Sequence, residues 1–489
     1  MKNRRRKIVM FVLLFSLPVF AQKQANNWFF GRKAGLTWNT TQTVTGTAIY
    51  GTTEPKQLSN IPTNLPGSQM TTSEGCFSLS DEEGNLLFYS SGMAIWNRNH
   101  QVMQNGTGLT GHDSSAQSGI IVPYPGSKTK YIAVCIGQYG QSTNQGDRAG
   151  RLTYSVIDMT LDNGLGAVIE KNIPLINFNP TIGESITSIR HANGRDFWIV
   201  APARGRNPYL NAWLATPEGI VADTPVISAF PLNSGTTGDV FTASGYIKFS
   251  PDGKHFAWAT NFTSQLFVGS FDTRTGKMTK SQTLRWNHAY GVEFSNSGKY
   301  LYVRAVNALN YMRVYEFEDL LAHGEAVTKK LEINNTGTGS LQMGPDGRIY
   351  LNMVGNNFMY IIDNPEEMNN LRIYRVSSMF TGSSELGLPS FAASWFAIDD
   401  FKSTICLGED AVYRVSSSTG KIMIDFDEGE GKQIMDVPLN GEIRHRFKKP
   451  GAYLVTVELY GAATLEPQTA YTTVYSCYVP VNHNLSNLR

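Results

Sequence analysis

The sequence has few cysteines, no excess of either charge and a single long apolar run. Its 489 residues hold 4 cysteines, none in a CxxC pair, so zinc-ribbon and thioredoxin-like chemistry have no footing. Lysine and arginine number 42 against 40 acidic residues, and charged residues are only 17 % of the chain. That excludes the basic footprint of a nucleic-acid-binding protein. No residues are spaced to hold a cofactor. The apolar run, residues 8–20, is shorter than the ~20 residues that a membrane span needs. It follows Lys2, Arg4, Arg5, Arg6 and Lys7 and ends at Val19-Phe20-Ala21, the order of a secretory signal peptide over residues 1–21. No cysteine follows the cleavage position, which argues against a lipid anchor. The mature chain is expected to begin at Gln22 and to work outside the cytoplasm, with no transmembrane span.

Glycine is plentiful (46 residues), as are aromatics (11 %), and both suit an all-β chain with many tight turns. The organising stretch is GYIKFSPDGKHFAW, residues 245–258. Two alternating apolar runs flank Ser250-Pro251-Asp252-Gly253, in which proline presets φ, aspartate bonds the local backbone and glycine takes the left-handed conformation. The shape recurs in residues 291–303 and 339–353, and a hairpin repeating every ~40–50 residues is the mark of propeller blades. Earlier copies turn at Gly84, Gly126 and Gly194, with irregular spacing that implies insertions. Residues 40–70, rich in Thr, Gly, Pro and Asn, read as a loop or insertion. Residues 386–396 have strands without a hairpin, and residues 26–38 have strands without a blade. Pairing the two would close a ring and remove exposed sheet edges. The expected architecture is all-β: a seven-bladed β-propeller over residues 22–400, its last blade closed by the N-terminal strands, followed by a small β-sandwich over residues 404–482.

Two resemblances support this division. HRFKKPGAYLVTVEL (445–459) resembles the H-x-Y-x-x-P-G-x-Y-x-V-x-L signature of PKD-type immunoglobulin-like domains, and IDFDEGEG (424–431) resembles their W-x-F-G-D-G turn, with Ile424 in place of tryptophan. FSPDGKHFAWA and FSNSGKYLYV resemble WD/TolB-like repeats, and NNWFFGRKAGLTW resembles the opening of exported Bacteroidetes propeller–PKD proteins. Many such relatives continue into a type IX sorting domain. This chain ends at Leu488-Arg489 without one, so the expected place is the periplasm or the outer membrane.

The candidate chemistry is sparse. Cys406 and Cys477 stand at the two ends of the C-terminal module, where a disulfide would join first strand to last, while Cys76 and Cys135 lie in apolar runs and read as buried thiols. Asp425, Asp427, Glu428 and Glu430 crowd one loop but lack the spacing of a calcium loop. His112-Asp113-Ser114-Ser115 has no G-x-S-x-G elbow around it and reads as an inter-blade loop. Arg190 and His191 with Asp196, and His288 with Glu293, are candidate acid–base pairs of a propeller hydrolase or lactonase. Trp286, in RWNHAYG before an inner strand, joins His288, Arg190 and His191 as a candidate binding face. These features lead to the expectation of a non-enzymatic binding or scaffold protein of the cell envelope. Its partner would be an envelope or outer-membrane protein, such as a type IX secretion or gliding assembly. The alternatives are a propeller hydrolase, lactonase-like or glycan-cleaving, and a glycan-binding surface protein.

Overall fold

The computed structural model describes residues 23–138, 151–176, 182–193, 195–203, 207–222, 224–231, 244–261, 263–306, 311–325, 330–334, 339–396, 402–414, 421–436, 442–459 and 468–475. The signal peptide expected at residues 1–21 lies outside them.

Among the described residues six antiparallel strand groups, numbered sheets one to six, follow one another along the chain, the first two joined into one nine-stranded sheet by a parallel bridge between Gln104 and Ala167. Sheet one begins with Cys76–Ser80, sheet two with Gly119–Pro123, sheet three with Thr187–Arg190, sheet four with Ile247–Phe249, sheet five with Ala289–Phe294 and sheet six with Leu341–Met343. These first strands are inner strands, because successive ones lie against each other while their sheets extend outward. Sheet four shows why the sequence folds this way. Ile247 opposes Trp258 and Phe249 opposes Phe256 across the hairpin. All four are buried with Ile189, Trp198 and Val200 of sheet three, so aromatic area closes the gap between sheets. The turn is held as its residues dictate. Gly253 N–H donates to the Ser250 carbonyl, Ser250 Oγ donates to Asp252 Oδ1 at 2.6 Å, and Gly253 takes φ +75°. Gly298 (φ +75°) and Gly347 (φ +76°) repeat the conformation in sheets five and six.

Residues 40–70 differ from expectation. Ala34–Tyr50 and Lys56–Asn64 form a long hairpin, and Thr47–Tyr50 pairs with Ile373–Arg375 at the outer edge of sheet six. Threonine is branched at Cβ and favours extended backbone, which outweighs the loop-forming composition. Asn27–Phe30 pairs with the start of the same long strand, and its Trp28, Phe29 and Phe30 share a core with Phe77 of sheet one and Tyr350 of sheet six. Residues 386–396 do not pair with this hairpin as expected. Pro389–Ser390 runs parallel to Cys76–Phe77 of sheet one, and the hairpin touches the segment through side chains, Trp28 lying 6.1 Å from Phe391. The strand Tyr311–Glu316 runs directly into a short helix, Phe317–His323.

The C-terminal residues form a five-stranded sheet, in which Gly451–Leu459 lies between Lys421–Asp425 and Gln468–Tyr475, and a two-stranded one from Ala411–Arg414 and Glu442–His445. Its core contains Ile424, Phe426, Phe447 and Val455.

Candidate functional site at the mouth of the axis

The residues just before each inner strand converge. Gly75 N–H donates to the Ser115 carbonyl (2.8 Å) and Gln117 N–H to the Glu184 carbonyl (3.0 Å). Ser185 Oγ donates to the Gly245 carbonyl (2.7 Å) and Tyr246 N–H to the Tyr290 carbonyl (2.8 Å). Gly291 packs so closely on the next strand that a Cβ there would stand 3.2 Å from Ser340 Cα. Ser340 N–H donates to the Leu386 carbonyl (2.9 Å), and Leu386 N–H donates to the Ser73 carbonyl (3.0 Å). The circuit therefore returns to its start, with Leu386 standing between sheet six and sheet one. Gly387 is obligatory beside it, because a Cβ there would lie 2.1 Å from the Glu74 carbonyl oxygen.

The circuit holds two acids: buried Glu184, whose Oε2 accepts the Ala116 amide (3.2 Å), and Glu74. Glu74 Oε2 accepts a hydrogen bond from the Tyr290 hydroxyl (3.0 Å), and its Oε1 faces the Ser114 hydroxyl at 3.4 Å. Burial pushes the carboxyl up to about 7; the two hydroxyls pull the other way, and the nearby Asp113 adds a smaller upward push. Tyr290 is itself buried, which drives its phenol well above the ordinary range and keeps it a donor. The loop 112–115 is bound to the same place. The Asp113 carbonyl accepts from the Ser73 and Glu74 amides, and Ser114 N–H donates to His112 Nδ1 (3.1 Å). A carboxyl that changes charge near neutral pH, oriented by a phenol and next to a half-buried serine, is equipped for proton transfer.

Further along the axis a second polar group is fully enclosed. Lys248 of sheet four reaches Glu293 Oε2 of sheet five at 3.1 Å and the side-chain carbonyl of Gln342 in sheet six. Glu293 Oε2 also accepts from the Met343 amide (2.9 Å). Lys248 and Glu293 side chains are 6 % and 5 % exposed, so this pair ties three inner strands together out of reach of solvent.

The sequence-predicted face does not assemble. Trp286 is buried: it stacks on Tyr311 (5.0 Å between ring centres) and donates from Nε1 to the Tyr315 hydroxyl (2.8 Å). His288 lies just ahead of its inner strand, on the same side as Glu74, with Nδ1 3.2 Å from Asn261 Oδ1. Arg190 and His191 stand at the other end of an inner strand. Arg190 lies over Phe197 and His191 Nε2 contacts the Arg274 carbonyl at 3.0 Å. Neither acid–base pair forms through its carboxylate, because Asp196 is held by Arg195 and Asn193 and Glu293 by Lys248. Among the described residues no group of three His, Cys, Asp or Glu could hold a metal ion. The acidic C-terminal loop is occupied internally: Asp427 accepts from the Leu454 amide, and Glu428 from His445 and the Lys448 amide. Cys76 and Cys135 are free, buried thiols, the latter pushed up to about 12 by burial. The pairing of Cys406 with Cys477 lies outside the described residues.

No family model and no curated protein matches the chain. Among solved structures, it is similar to the periplasmic gluconolactonase PpgL of Pseudomonas aeruginosa, at 12 % identity over 80 % of this chain and 95 % of that one, with a TM-score of 0.37. A luciferin-regenerating enzyme matches at 11 % identity over 72 % of this chain and all of that one (TM-score 0.35). The GH43 β-1,3-galactosidase BT3683 matches at 10 % over 56 % and 93 % (TM-score 0.31). The fold is β-propeller-like. These neighbours are enzymes by name, against the expectation of a non-enzymatic protein, and a likeness at this level shows the fold alone.

Proposed function

We propose that the protein is an exported hydrolase whose reaction takes place at the mouth of the propeller axis, with Glu74 as the proton-transferring group. The observation that carries this reading is the Glu74 carboxyl: half-buried, held by Tyr290 on one oxygen, facing Ser114 on the other, and pushed up to about 7 by burial. Tyr290 orients the carboxyl and stabilises its ionised form. The buried Lys248–Glu293 pair holds the inner strands in register below it. The reading includes seven blades, the seventh built from the 386–390 segment inside and the N-terminal hairpin outside, and a PKD-like sandwich after it. It places the protein in the periplasm or at the outer membrane, because a basic, apolar leader opens the sequence. There an envelope protein or glycan is within reach of the remaining loops.

The test is a panel of lactones, aryl esters and aryl glycosides offered to the purified mature chain. Hydrolysis that rises through one ionisation near pH 7 and falls at least ~100-fold in Glu74→Gln supports the reading. Turnover unaffected by Glu74→Gln, or none on any substrate, overturns it.

A further inference from the structure

We propose that Ser114 is a covalent nucleophile and Glu74 its base, which makes the substrate an ester or lactone. This rests on the hydrolase reading above and narrows it. The required parts of an activated serine are a hydroxyl beside a base and a third group that orients the base. Ser114 Oγ lies 3.4 Å from Glu74 Oε1, and Tyr290 holds the opposite carboxylate oxygen at 3.0 Å. The loop carrying the serine is fixed at both ends of the contact. The Asp113 carbonyl takes the Ser73 and Glu74 amides together with the Thr72 hydroxyl (3.2 Å), and the His112 ring takes the Ser114 amide. Ser114 is half-buried, whereas the neighbouring Ser115 is fully buried.

The step balances with these two side chains and water. Ser114 Oγ forms a bond to the acyl carbon while its proton passes to Glu74 Oε1. The carbon–oxygen bond to the leaving alkoxide breaks, and Glu74 returns the proton to that oxygen. Water then adds to the acyl carbon, losing a proton to Glu74, and Ser114 departs as the alkoxide, taking the proton back. With a lactone the leaving hydroxyl stays attached to the acyl chain until the second step frees the hydroxy acid. No oxidant, metal or co-reactant enters.

The experiment treats the mature chain with an alkyl fluorophosphonate and maps the adduct by peptide mass spectrometry, alongside p-nitrophenyl acetate and δ-lactone hydrolysis. The expected result is one adduct, on Ser114, forming faster as pH rises through 7 and at least ~10-fold more slowly in Glu74→Gln. Ser114→Ala loses both adduct and turnover, and Ser114→Cys, which retains a nucleophile of similar size, instead takes up iodoacetamide at position 114 at a Glu74-dependent rate. Hydrolysis that depends on Glu74 but persists in Ser114→Ala, with no adduct, overturns this proposal alone and makes water the direct nucleophile. Absence of both adduct and hydrolysis overturns the hydrolase reading together with it.

Discussion

Glu74 makes the pH dependence of stability a quantitative test of the site. Its carboxyl rises from the ordinary 4.5 to about 7 in the folded chain because burial disfavours the charge. Below pH 4.5 the group is neutral in both folded and unfolded chains, and the preference of the fold for the neutral form contributes in full. Between pH 4.5 and 7 the unfolded chain ionises first and that contribution is lost. Above pH 7 both states are charged and the loss is complete. The distance between the two values corresponds to about 3 kcal/mol. Glutamine at position 74 keeps the shape and can still accept from Tyr290, but does not titrate. Wild type should therefore lose about 3 kcal/mol relative to Glu74→Gln between pH 4.5 and pH 8, several degrees in Tm for a domain of this size. Urea denaturation of both proteins across that range measures it. A difference between them that stays constant from pH 4.5 to 8 refutes the placement of Glu74 as a half-buried acid that favours its neutral form.

Three other perturbations follow from the geometry. Lys248→Met strands the Glu293 carboxylate among buried groups and should cost ~3–5 kcal/mol in urea denaturation, while Lys248→Met combined with Glu293→Gln should recover most of that loss. Gly387→Ala sets a methyl 2.1 Å from a backbone oxygen that has no room to give, so a loss of at least ~2 kcal/mol, read as a lowered Tm, is expected. Arg32→Ala breaks the 2.5 Å contact with Glu385, but the arginine side chain is 61 % exposed, so the change should stay within ~1 kcal/mol.

Much of the fold was legible because its turns carry their own chemistry. The Ser-Pro-Asp-Gly, Ser-Asn-Ser-Gly and Gly-Pro-Asp-Gly turns announce hairpins whose left-handed glycines the structure repeats within a degree of φ. The threonine-rich hairpin was not legible, since its strand character comes from β-branching and from an edge on sheet six that is over 300 residues away in sequence. The site was least legible of all. Tyr290 and Glu74 are 216 residues apart, and only the circular order of the inner strands brings them into contact. Arg190 and His191 are polar residues near a strand, yet they close an inner strand just before its turn, whereas His288 stands just before another begins. Inner strands share one direction around the axis, so residues that precede them gather at one mouth and residues that follow them gather at the opposite end.

That polarity explains why the loop 112–115 changes meaning once the chain is folded. In sequence, His112-Asp113-Ser114-Ser115 lacks the strand-turn-helix surroundings that raise a serine at a nucleophile elbow, and it reads as a loop. It is a loop, but one that ends at Ser115, where sheet two enters the circuit and receives the Gly75 amide. The same hydrogen bonds that close the circuit therefore fix Ser114 beside Glu74, and a site on a connecting segment gains the rigidity of the sheets on either side. Tyr290→Phe separates the two roles. It removes the donor to Oε2 without touching Ser114, so the Glu74 carboxyl should rise further, because that hydroxyl is the largest influence opposing burial. In a carboxylate-observed NMR titration the Glu74 resonance should move to higher pH in Tyr290→Phe and vanish in Glu74→Gln. A midpoint unchanged by Tyr290→Phe would mean that the phenol does not orient the acid, and the catalytic reading would lose its third member.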